Sequence, residues 1–157
     1  MKNKLILLKK KPMKLVEGLS HLLADTYVLY LKTQNFHWNV DGPDFYSLHK
    51  MFEEQYNQLA AATDEIAERI RALHHKAPGS FAEFLKLSVL HEGDHDLKAE
   101  KMVLELANDH ESISKSLVKL FEVAKECDDE ATLDLFIQRK KEHDKTAWML
   151  RSTLGRQ

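Results

Sequence analysis

Apolar residues recur three and four apart through most of the chain. Leu15, Leu19, Leu22, Leu23, Thr26, Tyr27, Tyr30 and Leu31 draw one stripe, the spacing of a helix that buries one face. The pattern predicts a first helix over about residues 13–39. The run VDGPD ends it: Gly42 suits a C-terminal cap, and Pro43 has no N–H with which to continue. Asp44 is the expected N-cap of a second helix, which runs without Gly or Pro to about Leu73. HHKAPGS (74–80) reads as a loop and FAEFLKL (81–87) as a short amphipathic helix. VLHEGDH breaks the chain again at Gly93. A third long helix is expected over about 95–125 and a fourth over about 129–152, with Asp128 or Asp129 as the cap between them. Four long helices with two short connections and one long one predict an all-α four-helix bundle. The short helix lies in the crossover between helices two and three.

Composition supports this. Gly (5) and Pro (3) are scarce for a fold of tight turns, and a chain that is 43% apolar and 31% charged can bury a core. No apolar run approaches the roughly 20 residues of a membrane span. The patch LILL in MKNKLILLKKKP is too short for a signal-peptide core. The single cysteine, Cys127, has no internal partner, which points to a reducing cytoplasm. Charge is uneven. Six lysines and no acid fall in the first fourteen residues, so the −2 of the whole chain leaves −8 for the remainder. Residues 1–12 are read as a flexible lysine-rich tail and 13–157 as one domain. A basic arm on an acidic body suits phosphate contact through Lys2, Lys4, Lys9, Lys10 and Lys11, or is simply a solvated tail.

The stretch NFHWNVDGPDFYSLHKMFEEQ holds the candidate chemistry. His37 and His49 each stand six residues from Pro43, and Glu53 follows His49 by four. Residues equidistant from the turn of a helical hairpin lie at similar heights, so the two imidazoles can face each other, with Glu53 on the same side. Two imidazoles and a carboxylate suit a divalent transition metal; alternatively they are polar residues at a helix end, satisfied by backbone or water. Asp64 and Glu68 form a second pair four apart, read either as ligands or as helix-surface partners of nearby arginines. Asp64 lies fifteen residues from His49, roughly 22 Å along the axis. One metal cannot reach both sets in one chain, but two chains packed antiparallel through their second helices would bring them together at two equivalent sites.

HWNVDGPDFYSLHKMFEE followed by DEIAERI resembles the Dps family, the miniferritins. APGSFAEF and HDKTAWMLRS resemble it too, and the similarity covers about residues 15–154. The resemblance implies a ferritin-like subunit and a dodecameric shell built from two-fold dimers. It implies a ferroxidase that oxidises Fe(II), with hydrogen peroxide favoured over oxygen, at inter-subunit mono-iron or di-iron centres, and stores ferric iron. The implied ligands are His37, His49, Glu53, Asp64 and Glu68. Trp38 matches a tryptophan beside that centre, or is core packing. Asp134, near the start of the fourth helix, is placed at a three-fold pore, or is an ordinary exposed acid. The implied setting is the cytoplasm, with nucleoid association through non-specific DNA contact. A DNA-compacting protein without enzymatic activity is the alternative. Two positions depart from the family pattern. Glu53 stands where Asp is frequent, and His74 where a helix-ending Gly is, so HHK caps differently or adds a surface metal site.

His91-Glu92-Gly93-Asp94-His95 also matches HExxH, the zinc-protease signature. That chemistry needs both histidines on one unbroken helix, and Gly93 with Asp94 argues for a break and a new helix start.

Overall fold

The computed structural model describes the backbone of residues 2–155 and the side chains of residues 12–155. Five helices and no strands are present among the described residues: α1 (Lys2–Asn39), α2 (Phe45–Ala72), α3 (Phe81–Leu87), α4 (Ala99–Glu126) and α5 (Glu130–Thr153). α1 packs along α2 and α4 along α5; α1 also meets α4, and α2 meets α5, which closes a four-helix bundle. The short α3 lies on α1 within the crossover, as the sequence predicts. The first helix runs back to Lys2 rather than starting near residue 13, so Pro12 lies inside it. Most of the lysine-rich segment, including Lys2, Lys4, Lys9, Lys10 and Lys11, falls outside the residues whose side chains are described.

The apolar stripes become the core. Leu15, Leu19, Leu22, Leu29 and Phe36 of α1 meet Phe52, Leu59, Ile66 and Ile70 of α2 and Met102, Leu106 and Leu117 of α4, all essentially without solvent contact. Each such side chain contributes about 1.5–3 kcal/mol of burial free energy. No helix among the described residues is long and apolar enough to cross a membrane.

The ends of the helices differ in how they are closed. Asp129 caps α5, accepting Thr132 N–H at 3.0 Å and the Arg69 guanidinium at 2.8 Å. Asp44 stands at the N-cap of α2, but its side chain makes no capping bond. α4 starts at Ala99, later than the expected residue 95. Asp94 does not cap it, because its Oδ1 accepts the Asp96 N–H at 2.9 Å and closes a separate turn. At the end of α2, His74 itself adopts the left-handed conformation, with φ 65°. His75 N–H then reaches the Ile70 carbonyl at 3.2 Å and His74 N–H the Arg71 carbonyl at 2.9 Å, the paired bonds that usually recruit glycine.

The crossover is pinned to α1 by polar contacts. The buried Asp25 accepts Ser88 Oγ at 2.7 Å and Val89 N–H at 2.9 Å. Burial pushes its carboxyl up, and those two bonds oppose the rise. Asn35 Nδ2 donates to the Gly93 carbonyl at 3.0 Å. Lys32, also buried, donates to Asp109 at 2.8 Å and joins α1 to α4.

Candidate metal centre

Gly42 turns the chain between α1 and α2 with φ +100°, a conformation open to glycine and strained for most other residues. Phe45 N–H closes the turn on the Gly42 carbonyl at 3.1 Å. α2 therefore runs back along α1, and His37 meets His49. The Nδ1 of His37 lies 2.8 Å from the His49 carbonyl oxygen, and the Nδ1 of His49 lies 2.8 Å from the His37 carbonyl oxygen. A carbonyl only accepts, so each Nδ1 carries the hydrogen and donates it. In a neutral imidazole that leaves the lone pair on Nε2. The rings stack with centroids 3.8 Å apart and 22° between their planes. The backbone thus satisfies one nitrogen of each ring and orients the other for a ligand.

Glu53 stands one turn beyond His49. Its Oε2 accepts the Lys50 ammonium at 2.8 Å. That bond, followed by the Lys50 charge, holds the Glu53 carboxyl below its usual range; His37 and His49 act more weakly in the same direction. Two imidazoles whose Nδ1 atoms are held by backbone, with a carboxylate one turn away, suit Fe(II) and the later divalent first-row metals. The residues fit iron.

Asp64 and Glu68 are exposed on the same helix α2, and the nearer of them, Asp64, is fifteen residues beyond His49, roughly 22 Å along the axis. Glu68 lines an open groove with Glu65, Arg69 and Asp134. Among the described residues, no three His, Cys, Asp or Glu side chains converge to hold an ion within one chain. Within one chain, His49 with Glu53 and Asp64 with Glu68 therefore lie apart along α2.

Trp38 is 62% exposed, so core packing within the subunit does not account for it. Asp134 is exposed on α5. His91, Glu92 and His95 are exposed in the loop before α4; with no helix under them the HExxH spacing carries no protease geometry. Tyr56 touches His37 edge-on at a ring-centroid distance of 5.2 Å, and sequence reasoning did not single it out. The signal was present: Tyr56 follows His49 by seven residues, two helical turns, on the same face.

Residues 16–157 match the ferritin-like domain family. The chain is 42% identical over 140 residues to DNA protection during starvation protein 2 of Bacillus anthracis, covering 89% of this chain and 96% of that protein. The crystal structure of Dps from Staphylococcus aureus superposes with a TM-score of 0.88 at 40% identity, over 90% of this chain and 95% of that one. Dps from Vibrio cholerae O1, described as a member of a broad superfamily of ferritin-like diiron-carboxylate proteins, superposes with a TM-score of 0.89 at 32% identity, over 92% of this chain and 91% of that one.

Proposed function

The chain belongs to the Dps branch of the ferritin-like family, and on that premise we propose that it is a ferroxidase that oxidises Fe(II) with hydrogen peroxide at sites shared between two-fold-related subunits. One observation carries this reading: the mutual Nδ1–carbonyl clasp of His37 and His49 leaves Nε2 of both stacked rings as the nitrogen free to bind a metal, while the matching carboxylates, Asp64 and Glu68, stand too far along α2 to serve the same ion. A second copy supplies them. Twelve subunits would then enclose the ferric product in a shell, and the Asp134 carboxylates would draw cations toward a pore.

His37 and His49 bind the incoming Fe(II) through Nε2, with Nδ1 held by backbone. Glu53 exchanges its Lys50 partner for the metal ion. Asp64 and Glu68 of the neighbouring copy add negative charge, which favours the ferric over the ferrous state and so eases oxidation. Removing Fe(II) and peroxide together denies DNA its main source of hydroxyl radical. Direct DNA contact would come from the lysine-rich N-terminal segment.

The test is anaerobic Fe(II) loading, a peroxide pulse and ferric absorbance, for wild type beside His37→Ala/His49→Ala and Asp64→Ala/Glu68→Ala. Both double variants should lose fast oxidation, and mixed reassembly of the two should restore part of it. Wild type no faster than buffer ends the enzymatic reading; full activity in either variant ends this ligand assignment.

A further inference from the structure

Three tyrosines lead away from the imidazole pair along the contact between α1 and α2. The Tyr56 ring meets His37 at 5.2 Å between centroids. Tyr30 follows Tyr56 at 6.2 Å, and Tyr27 follows Tyr30 at 5.7 Å. Tyr27 then stacks on Phe84 of α3 at 4.6 Å. Helical spacing sets the file: Tyr56 stands two turns beyond His49 on α2, and Tyr30 two turns before His37 on α1, so both climb away from the turn on facing sides. All three rings are half-buried. Packing alone does not call for three phenols in a row, since phenylalanine fills the same space. A phenol differs from it in one chemical respect that matters here: it can give up an electron and a proton together.

We propose that Tyr56, Tyr30 and Tyr27 form a redox relay that supplies the second electron of peroxide reduction when a centre holds a single Fe(II). The proposal rests on the ferroxidase reading. Peroxide takes two electrons, and one Fe(II) gives one. Tyr56 gives the other and releases its phenolic proton. One Fe(II), one tyrosine, one hydrogen peroxide and one solvent proton yield one Fe(III), one neutral tyrosyl radical and two waters. The O–O bond breaks; the four hydrogens of the waters are the two of peroxide, the phenolic proton and the solvent proton. The radical then moves from Tyr56 to Tyr30 to Tyr27. At each step the next phenol loses an electron and a proton, and the previous ring regains both. Electron tunnelling decays exponentially with distance, so rings this close exchange readily. The oxidising equivalent leaves the histidines, which would otherwise be its nearest targets.

The experiment is freeze-quenched electron paramagnetic resonance on the assembled full chain, loaded anaerobically with one Fe(II) per centre and given one equivalent of peroxide. Ferric absorbance is read on the same samples. Wild type should show a tyrosyl signal. Tyr56→Phe, which keeps the ring and its packing, should lose it. Tyr27→Phe should keep a radical with an altered line shape, because it then stops at Tyr30. Ferric absorbance without a tyrosyl signal in wild type overturns the relay and leaves the ferroxidase reading standing. So does a tyrosyl signal that survives in Tyr56→Phe, an unchanged spectrum in Tyr27→Phe, or a tryptophan radical lost in Trp38→Phe. Absence of ferric absorbance in wild type removes the ferroxidase reading and the relay together.

Discussion

His110 of α4 and His143 of α5 meet through their Nδ1 atoms at 2.9 Å in the bundle interior. One ring donates and the other accepts, so the contact requires at least one neutral imidazole. Burial, with the charge of Arg139 next, depresses the His110 pKa to about 3. Burial, then His110 and Arg139, lowers His143 well below its ordinary value. The folded protein refuses protons that the unfolded chain accepts near pH 6.5. The stability of the pair is therefore complete above about pH 6.5 and is lost progressively as pH falls from there toward 3. With two protons at stake, the expected slope is about 3 kcal/mol per pH unit in the steep part. Urea unfolding at pH 7.5, 6 and 5 should show this loss, and His110→Leu/His143→Leu should flatten it. An equally steep loss in the double variant would show that other groups carry it.

His74→Gly should stabilise the subunit by about 0.5–1 kcal/mol, because glycine takes φ 65° without the steric cost of a Cβ and repays part of that gain as chain entropy. The measurement is the urea midpoint. A lowered midpoint would mean that the imidazole makes contacts worth more than the strain.

Lys50→Ala should tighten divalent-metal binding by roughly two- to fivefold, the worth of one exposed ion pair. The ammonium holds Glu53 at 2.8 Å and competes with any cation for it. Anaerobic calorimetric titration with Fe(II), and with Zn(II) as a redox-silent probe, reads the change. Weaker binding would mean that Lys50 orients Glu53 rather than blocking it.

Gly93→Ala should loosen the crossover by about 1–3 kcal/mol. A Cβ there would stand 2.9 Å from Lys32 Cγ and 3.1 Å from Phe36 Cε1. Lys32 cannot swing away, because its tip is bonded to Asp109. Faster proteolysis within residues 88–98 is the readout, and an unchanged digestion pattern would count against the tight fit.

Deleting residues 2–11 should abolish a gel shift with duplex DNA and leave peroxide-driven iron oxidation in place. In the intact protein the shift should weaken steeply with added salt, as phosphate neutralisation by lysines demands. A shift that survives the deletion moves DNA contact elsewhere on the protein.

The helices were legible because their signals are local. The apolar stripe from Leu15 to Leu31, the break at Gly42 and Pro43, and the cap at Asp129 each depend on a few neighbouring residues. The start of α4 was not, since an aspartate before a helix and an aspartate closing its own turn look alike in sequence, and Asp94 does the second. His37 and His49 stood out by their symmetry about the turn. The tautomer that exposes Nε2 did not, because it depends on where two carbonyls point. His110 and His143 are 33 residues apart on separate helices, and only the register of α4 against α5 brings them together. Tyr30 reads in sequence as one more position of the apolar stripe, and Tyr56 shows only as a seven-residue offset from His49; their contact depends on how α1 lies against α2.

On the shared-site reading, the distance along α2 between His49 with Glu53 and Asp64 with Glu68 also sets how a population of mixed chains behaves. In the proposed shared site, a chain lacking Asp64 and Glu68 would spoil only the site it completes on its neighbour, and its own histidines would still work beside an intact partner. Working sites then fall in proportion to the fraction of defective copies, without the steeper collapse of an assembly poisoned by one bad member. Randomly assorted equal amounts of the two opposite defects still leave roughly a quarter of the sites whole. Equal amounts of damaged and intact chains would therefore keep about half the sites, an additive loss with no dominant poisoning.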